Sequence, residues 1–328
     1  MQSWWMLMTA TGTQLELRDV PAPEPGPGQL LVKVRAASLN RGEFVVGHGL
    51  HGKAGSWKAS GGEAAGEVVA LGAGVQGWQP GDRVMGRCAG GFSEVAVVDA
   101  AEAMAVPGNL DWEQAASIPL AFLVTYDMLV LQGRLQRGEW LLVNGVSSGV
   151  GVASLQLGKV LGAQVIGTSG SAAKLEALRP LGLDLALCTR AADFAPAVLA
   201  VTGERGADLV VNTVGGTVFA EAIRCMAFEG RLATVGYVDG VLEAPLDLGA
   251  LHAKRLTLFG VSNKLRSKQQ KAEAIPAFVR DVLPHFASGA IRPQVDRVYP
   301  FAQLPEAKAR MEAGGHVGKI VLRVALPG

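Results

Sequence analysis

The segment VNGVSSGVGVA at residues 143–153 constrains the fold of this 328-residue chain more than any other. It follows an apolar run from Trp140 to Val143 and opens a stretch, 152–161, whose apolar residues recur at helical spacing. Strand, glycine turn and helix in that order form the setting that a dinucleotide fingerprint requires. Glycine lets the backbone turn tightly and approach a pyrophosphate. The helix N-terminus then offers unpaired N–H groups and a positive dipole end to that anion. The glycines stand at Gly145, Gly149 and Gly151, whereas a strict GxGxxG would have glycine at the positions of Val146 and Ser148. The chain is expected to bind a dinucleotide at this turn.

The same glycine spacing occurs in short-chain dehydrogenases, but those enzymes need a Tyr-x-x-x-Lys pair. Four residues after Tyr126, Tyr237 and Tyr299 stand Val130, Val241 and Gln303. Short-chain enzymes also begin with this motif, and here it lies deep in the chain. Apolar residues make up 49% of the sequence, enough for substantial cores, and a net charge of +1 argues against a nucleic-acid or anionic-membrane partner. Cys88, Cys188 and Cys225 lie far apart with neither CxxC nor metal spacing, which fits a reducing, cytoplasmic compartment. The N-terminal MQSWWMLM has no basic n-region and reads as a first strand, with Trp4 and Trp5 on opposite faces. No apolar run reaches the length of a membrane span.

Before about residue 120 the pattern is all-β. Segments 30–36, 66–71 and 93–98 alternate as strands, and 21–28, 72–74 and 80–82 read as turns. Beyond it, strands at 140–144, 163–168, 184–188, 207–213, 231–235 and 256–260 alternate with helices that include 150–161, 171–181 and 217–228. Six strands with crossover helices imply a parallel, doubly wound sheet. The end of the chain holds a helix near 268–287, a strand near 294–299, a helix near 303–312 and a strand near 318–324. Its strands resemble those of the first region. The expected organisation is therefore one discontinuous domain, 1–121 with 264–328, into which a nucleotide-binding domain, 122–263, is inserted.

Several short motifs in this order carry a family resemblance: AASLN at 36–40, GGEAAGEV at 61–68, GDRV at 81–84, GFSE at 91–94, LVTY at 123–126, the glycine turn at 145–151, GTSG at 167–170, DLVVNTVG at 208–215 and GKIV at 318–321. Together they resemble the zinc-free medium-chain dehydrogenases/reductases of the NADPH:quinone oxidoreductase (zeta-crystallin) type, nearly end to end. The resemblance implies a GroES-like β-barrel domain plus a Rossmann domain, with cofactor and substrate meeting in the cleft between them, and a homodimer formed through the last parallel strand, 255–260.

The resemblance also assigns residues. Zinc-dependent relatives ligate catalytic zinc with a Cys where this chain has Asn40 and with a His where it has Gly62, and no thiol or imidazole stands near 120–122. No metal is expected. An NAD enzyme would place an acid after the second parallel strand. Here that strand runs instead into Thr168, Ser169 and Lys174, with Arg190 following the third, and these small hydroxyls and cations suit a 2′-phosphate. Thr189 stands where the family often has a phosphate-contacting tyrosine. NADPH is thus the expected cofactor, held by Ser147, Ser148, Gly149 and Val150 of the turn, by Thr168, Ser169, Lys174 and Arg190, by Asn212, Val214, Gly215, Gly236 and Tyr237, and by Lys319. Asn40, Thr125 and Tyr126 approach the nicotinamide, with Asn40 and Thr125 in catalytic roles.

His48 and His51 sit in a glycine-rich loop, and the imidazole of His48 is a candidate proton donor to an enolate. Phe44, Trp57 and Phe92 are candidates for cleft wall or core, and the six basic residues between Lys254 and Lys271 for phosphate contact or a solvated face. The expected activity is NADPH-dependent, zinc-independent reduction of quinones or α,β-unsaturated carbonyls. An enoyl-thioester reductase of lipid or polyketide metabolism is the alternative, although Val45 stands near where its donor tyrosine would be. A catalytically idle NADPH-binding protein is a third reading.

Overall fold

The computed structural model describes residues 1–9, 12–45 and 55–324. The chain forms two compact units, Met1–Leu123 with Asn263–Gly328, and Val124–Ser262. The first unit contains β1 (Gln2–Thr9), β2 (Gly12–Asp19), β3 (Gln29–Ser38), β4 (Trp57–Ala59), β5 (Glu63–Leu71), β6 (Arg83–Ala89) and β7 (Val95–Ala105). The second contains β8 (Trp140–Asn144), β9 (Gln164–Ser169), β10 (Leu185–Cys188), β11 (Ala207–Asn212), β12 (Met226–Thr234) and β13 (Thr257–Gly260). The chain then returns to the first unit with β14 (Val295–Pro300) and β15 (Lys319–Arg323). The helices are α1 (Trp112–Ala116), α2 (Pro119–Tyr126), α3 (Gly149–Val160), α4 (Ala172–Leu178), α5 (Ala195–Val201), α6 (Phe219–Arg224) and α7 (Leu248–Ala253). Four more follow: α8 (Lys268–Ala272), α9 (Ile275–Asp281), α10 (Leu283–Ala287) and α11 (Leu304–Glu312).

In the first unit β3 alternates strictly, burying Leu30, Val32, Val34 and Ala36 on one face. Its first half pairs with β5 and β7, which β6 joins, so four antiparallel strands close a ring. Closure removes exposed edges. Leu30, Val32, Val68, Val84 and Val98 fill the interior. The last residues of β3, Ala36 to Ser38, leave the ring and pair with β15. This divergence brings the end of β3 and the starts of β5 and β15 to one place, where the site described below lies. A second sheet, β2-β1-β4, carries Trp4, which is buried and donates Nε1–H to the Phe301 carbonyl at 2.9 Å. Trp5, on the other face, lies half-buried under the Arg18 guanidinium.

In the second unit the order is β10-β9-β8-β11-β12-β13 with every pairing parallel. This is the doubly wound arrangement 3-2-1-4-5-6, whose direction of winding reverses between β8 and β11. Leu141, Leu142 and Val143 are fully buried, as a near-continuous apolar run on a strand covered on both faces requires.

Two readings of the sequence needed correction. The helix expected over 268–287 is divided into α8, α9 and α10, because Pro276 and Pro284 lack the N–H that would continue a helix and stand near the starts of new ones. The helix expected over 217–228 ends at Arg224, and the residues from Met226 onward enter β12. Strands β2, β4 and β6 were not singled out in the sequence, β2 being half-exposed along its length and β6 carrying two arginines. Among the described residues no helix is long and apolar enough to cross a membrane.

Candidate active site

The glycine turn is built as its sequence demands. Gly145 has φ +76°, a region that side chains other than glycine rarely enter. A Cβ on Gly151 would lie 2.4 Å from the Gly145 carbonyl oxygen, so only glycine lets α3 start so close to the end of β8. Ser148 caps α3: its Oγ accepts from the Gly151 N–H at 3.1 Å and donates to the Gly145 carbonyl at 2.9 Å. The amides of Gly149 and Val150 belong to the first turn, where N–H groups have no intrahelical partner. Ser147 Oγ lies 3.4 Å from Ser169 Oγ. The turn thus presents the positive end of a helix beside small hydroxyls at the carboxyl edge of the sheet.

The other expected cofactor residues lie mostly on that same edge. Thr168 and Ser169 end β9 and are buried, and Thr168 Oγ1 donates to Asn144 Oδ1 at 3.2 Å. Lys174 stands in the first turn of α4, which is capped by Ser171. Arg190, after β10, packs along the backbone of Gly170, where a Cβ would come within 2.6 Å of its side chain. Lys174 and Arg190 therefore flank the Ser169–Ser171 turn. Thr189 donates to Asp193 at 2.7 Å and is engaged locally. Asn212 shapes the turn after β11: its Oδ1 accepts from the amides of Val214 and Gly215, and its Nδ2 donates back to the Gly215 carbonyl. Gly236 and the exposed Tyr237 follow β12. A cavity of about 510 Å³ opens at the opposite, amino-terminal edge, where the ion pairs Arg231–Glu139 and Arg255–Glu229 fill it with mutually neutralising charge.

Some buried polar atoms in this unit have no hydrogen-bond partner among the described residues, and two of them lie at the carboxyl edge or the start of the unit. These two are Thr125 Oγ1 and Asn144 Nδ2, both on residues with 0% exposure. An orphaned buried donor is costly unless something else satisfies it. A nicotinamide dinucleotide, rich in amide and phosphate acceptors, is chemically suited to do so. Asn144 was missed in the sequence. Its signal is a polar residue at the end of an otherwise apolar strand, immediately before the fingerprint.

The first unit holds a buried polar cluster. Glu63, at the start of β5 and 0% exposed, receives four donors: Ser38 Oγ at 2.5 Å, Asn40 Nδ2 at 2.8 Å, Lys319 Nζ at 2.9 Å and the Leu120 N–H at 2.6 Å. The last is a first-turn amide of α2, so a helix N-terminus also supports this carboxylate. Lys319, at the start of β15, donates in addition to the Leu39 carbonyl at 3.0 Å and to Asn40 Oδ1 at 2.6 Å. Glu43 Oε1 accepts from Asn40 Nδ2 and from the Gly62 N–H, each at 3.0 Å. Asn40 is thus held on three sides, its amide hydrogens toward two carboxyls and its oxygen toward an ammonium. Burial pushes the Glu43 carboxyl up to about 7, with the Asn40 hydrogen bond opposing.

These placements revise several expectations. Asn40 does not cap its own turn; its side chain makes no cap bond and enters the cluster instead. All three Lys319 hydrogens are committed inside the first unit, which leaves none for a cofactor. Tyr126 is among the largest fully buried side chains. Phe44 and Phe92 belong to the core, their rings stacked with centroids 6.5 Å apart, while Trp57 lies under Arg18. Lys254 is tied to the carbonyls of Arg224 and Met226. Burial also pushes the Cys88 thiol up. His48 and His51 lie outside the described residues. Glu63 and Glu43 were not singled out, although acidic residues within apolar alternating segments were a visible signal.

Comparison with known proteins agrees with this geometry. Residues 26–108 match the alcohol dehydrogenase GroES-like domain, and residues 149–279 match the family described as zinc-binding dehydrogenase. The fold combines a GroES-like barrel unit and a Rossmann-sheet unit. The chain belongs to the medium-chain dehydrogenase/reductase superfamily. Among curated relatives, the spectinabilin polyketide synthase system protein NorB of Streptomyces orinoci is 32% identical over 325 residues, covering 97% of this chain. The chain spans only 14% of that protein's length, and likewise 14% of a Mycobacterium tuberculosis phenolphthiocerol/phthiocerol polyketide synthase subunit. A mycobacterial protein solved in complex with NADPH superposes with a TM-score of 0.88 at 29% identity, covering 98% of this chain and 99% of that one. A mycobacterial quinone oxidoreductase does so with a TM-score of 0.83 at 28% identity, covering 98% and 99%.

Proposed function

We propose that this protein is an NADPH-dependent, zinc-independent reductase of quinones or α,β-unsaturated carbonyls. The observation that carries the reading is the Glu63–Lys319–Asn40 cluster. Zinc-dependent relatives have metal ligands at the positions of Asn40 and Gly62. Here an amide, a glycine and a buried ammonium meet there, and a Cβ on Gly62 would come within 2.7 Å of Glu43 Oε1. An ammonium repels a metal cation, and among the described residues no three His, Cys, Asp or Glu side chains converge on one point. Strong electrostatic stabilisation of a localised oxyanion is then unavailable, which favours acceptors whose incoming charge spreads into an enolate or hydroquinone.

NADPH supplies the hydride. The α3 N-terminus with Ser147 would hold its pyrophosphate, Lys174, Arg190 and Ser169 would hold the 2′-phosphate, and Thr125 and Asn144 would find partners for their orphaned groups on the cofactor. The mycobacterial relative solved with NADPH supports this choice. The protein's own work is positioning, bringing hydride and acceptor to within about 3–3.5 Å. The edge strand β13, which pairs only with β12, supports a homodimer with continuous sheet.

A second reading, reduction of an enoyl thioester, draws support from the polyketide synthase relatives. Steady-state NADPH oxidation with 1,4-benzoquinone, 9,10-phenanthrenequinone, an alkyl vinyl ketone and an enoyl thioester separates the two readings. Turnover with a quinone or enone that a chelator does not reduce is expected. Stoichiometric zinc in the purified protein, or turnover of the thioester alone, would overturn the first.

A further inference from the structure

Among the buried titratable groups, Glu43 touches Asn40 but has no role in the proposed chemistry. Glu43 lies in the turn after Asn40 and is 6% exposed. Its two oxygens are treated unequally. Oε1 accepts from Asn40 Nδ2 and the Gly62 N–H, whereas Oε2 is buried with no hydrogen-bond partner among the described residues. Four titratable groups face it from the surrounding strands: Glu63 on β5, Lys319 on β15, Lys58 on β4 and the Cys88 thiol on β6. Glu63 and Lys319 neutralise each other at 2.9 Å. Lys58 is only half-buried on a strand of the other sheet, and burial disfavours its charged form. An ionised Glu43 would therefore be the unbalanced charge of the cluster, with one oxygen wholly unsolvated. Leaving an anionic oxygen unsatisfied costs more than leaving a neutral hydroxyl so.

We infer that Glu43 is a positioning residue that carries a proton on Oε2 and, through Oε1, fixes the orientation of the Asn40 carboxamide. The inference rests on the reductase reading only in so far as Asn40 serves the acceptor. The neutral acid keeps a carbonyl oxygen for Asn40 and Gly62 without setting a second negative charge beside Glu63. Loss of the proton puts two anions around one amide, and solvating the new one means drawing the side chain or water across the contact that holds Asn40. Because burial raises this carboxyl to about 7, the change falls near neutral pH, in the direction of a loosened Asn40 as pH rises.

Glu43→Gln keeps the volume and the Oε1-type acceptor and cannot ionise. Infrared difference spectra of wild type against Glu43→Gln, with carboxyl-labelled glutamate to assign the band, should contain a protonated-carboxyl stretch below pH 7. That band should fade as pH rises through the titration, and Lys58→Gln should retain it. With NADPH and a quinone, wild-type kcat/KM should fall toward a slope of about tenfold per pH unit above the titration point. Glu43→Gln should stay flat. The carboxamide ¹⁵N shift of Asn40 should move with pH in wild type and not in the variant. Absence of the acid band overturns the inference, and so does an unchanged kcat/KM step in a folded variant. Should no acceptor be turned over, the reductase reading fails, and the infrared band and the Asn40 shift still decide the role of Glu43. Both can be read in wild type alone if the variant does not fold, an Asn40 shift that stays constant through the titration then counting against it.

Discussion

Replacing Lys319 by Met tests whether the buried pair holds the first unit together. The side chains of Lys319 and Glu63 are 7% and 0% exposed, and their contact is 2.9 Å. Removing the ammonium leaves the Glu63 carboxylate buried without its countercharge and takes the donor from the Leu39 carbonyl and from Asn40 Oδ1. Breaking one side of a buried pair typically costs about 3–5 kcal/mol. Ser38, Asn40 and the Leu120 amide still donate to Glu63, which places the expected loss at about 3 kcal/mol. That is a large share of the roughly 5–15 kcal/mol available to a folded protein. In urea, with a slope of about 2–3 kcal/mol/M, the midpoint of the transition that reports the first unit should fall by about 1 M. Glu63→Gln combined with Lys319→Met removes both charges and should be less destabilised than Lys319→Met alone. A midpoint for Lys319→Met within about 0.2 M of wild type would refute the reasoning, because the ammonium would then not be compensating a buried charge.

Four further outcomes follow from the same geometry. Lys174→Ala should weaken NADPH binding about tenfold or more while leaving NADH nearly unchanged, a charge-assisted contact contributing about 1.5–3 kcal/mol; calorimetry with both cofactors checks it, and equal losses would sink it. Thr125→Val removes a hydroxyl that has no partner among the described residues, so the cofactor-free protein should be as stable as wild type or more so, whereas NADPH binding should weaken. Between about pH 4.5 and 7 folded Glu43 keeps a proton that the unfolded chain releases, so stability should fall as pH rises through that window. At about 1.4 kcal/mol per unit the fall is up to about 3 kcal/mol, and Glu43→Gln should remove the slope from the pH series of urea midpoints. Light scattering at micromolar concentration should report a dimer, and a monomer would count against pairing through β13.

The parallel sheet was legible because its strands are apolar runs separated by helical periods, and β8 and α3 flank the glycine turn where that pattern places them. The carboxyl-edge residues came with it, since in such a sheet the turns after β8, β9, β11 and β12 must fall on one side. The first unit was harder to read. β2 is half exposed along its length and β6 carries two arginines, so neither shows the clean alternation that marks a strand. The cluster itself depends on pairings distant in sequence, such as Ser38 with Glu63, 25 positions apart, and Asn40 with Lys319, 279 apart. No local period encodes those contacts. Lys319 illustrates the consequence: the family resemblance assigns it to the cofactor, whereas the strand pairing of β15 with β3 places it beside a buried carboxylate.

On the proposed zinc-independent reading, that placement gives the cluster a mechanical role. A zinc ion would cross-link the loop after β3 to the start of β5. Here Lys319 does this mechanical work, bonding Leu39, Asn40 and Glu63 at once, while the start of α2 joins through the Leu120 amide. The electrostatic consequence differs. A metal keeps an open coordination position for a substrate oxygen. An ammonium has three hydrogens, and all three are spent on the protein. The cluster can therefore hold the Asn40 loop rigid without polarising a bound carbonyl. On the proposed reading, a reaction run on such a scaffold would draw its charge stabilisation from the acceptor itself. For that reason the test of the whole reading is a comparison within one preparation: an acceptor that delocalises the incoming charge, such as 1,4-benzoquinone, should be turned over with NADPH. A simple alcohol with the oxidised cofactor should not. Comparable rates for the two would mean that a localised oxyanion is being stabilised by groups other than those in this cluster, and the assignment of Lys319 as a mechanical substitute for a catalytic cation would fall.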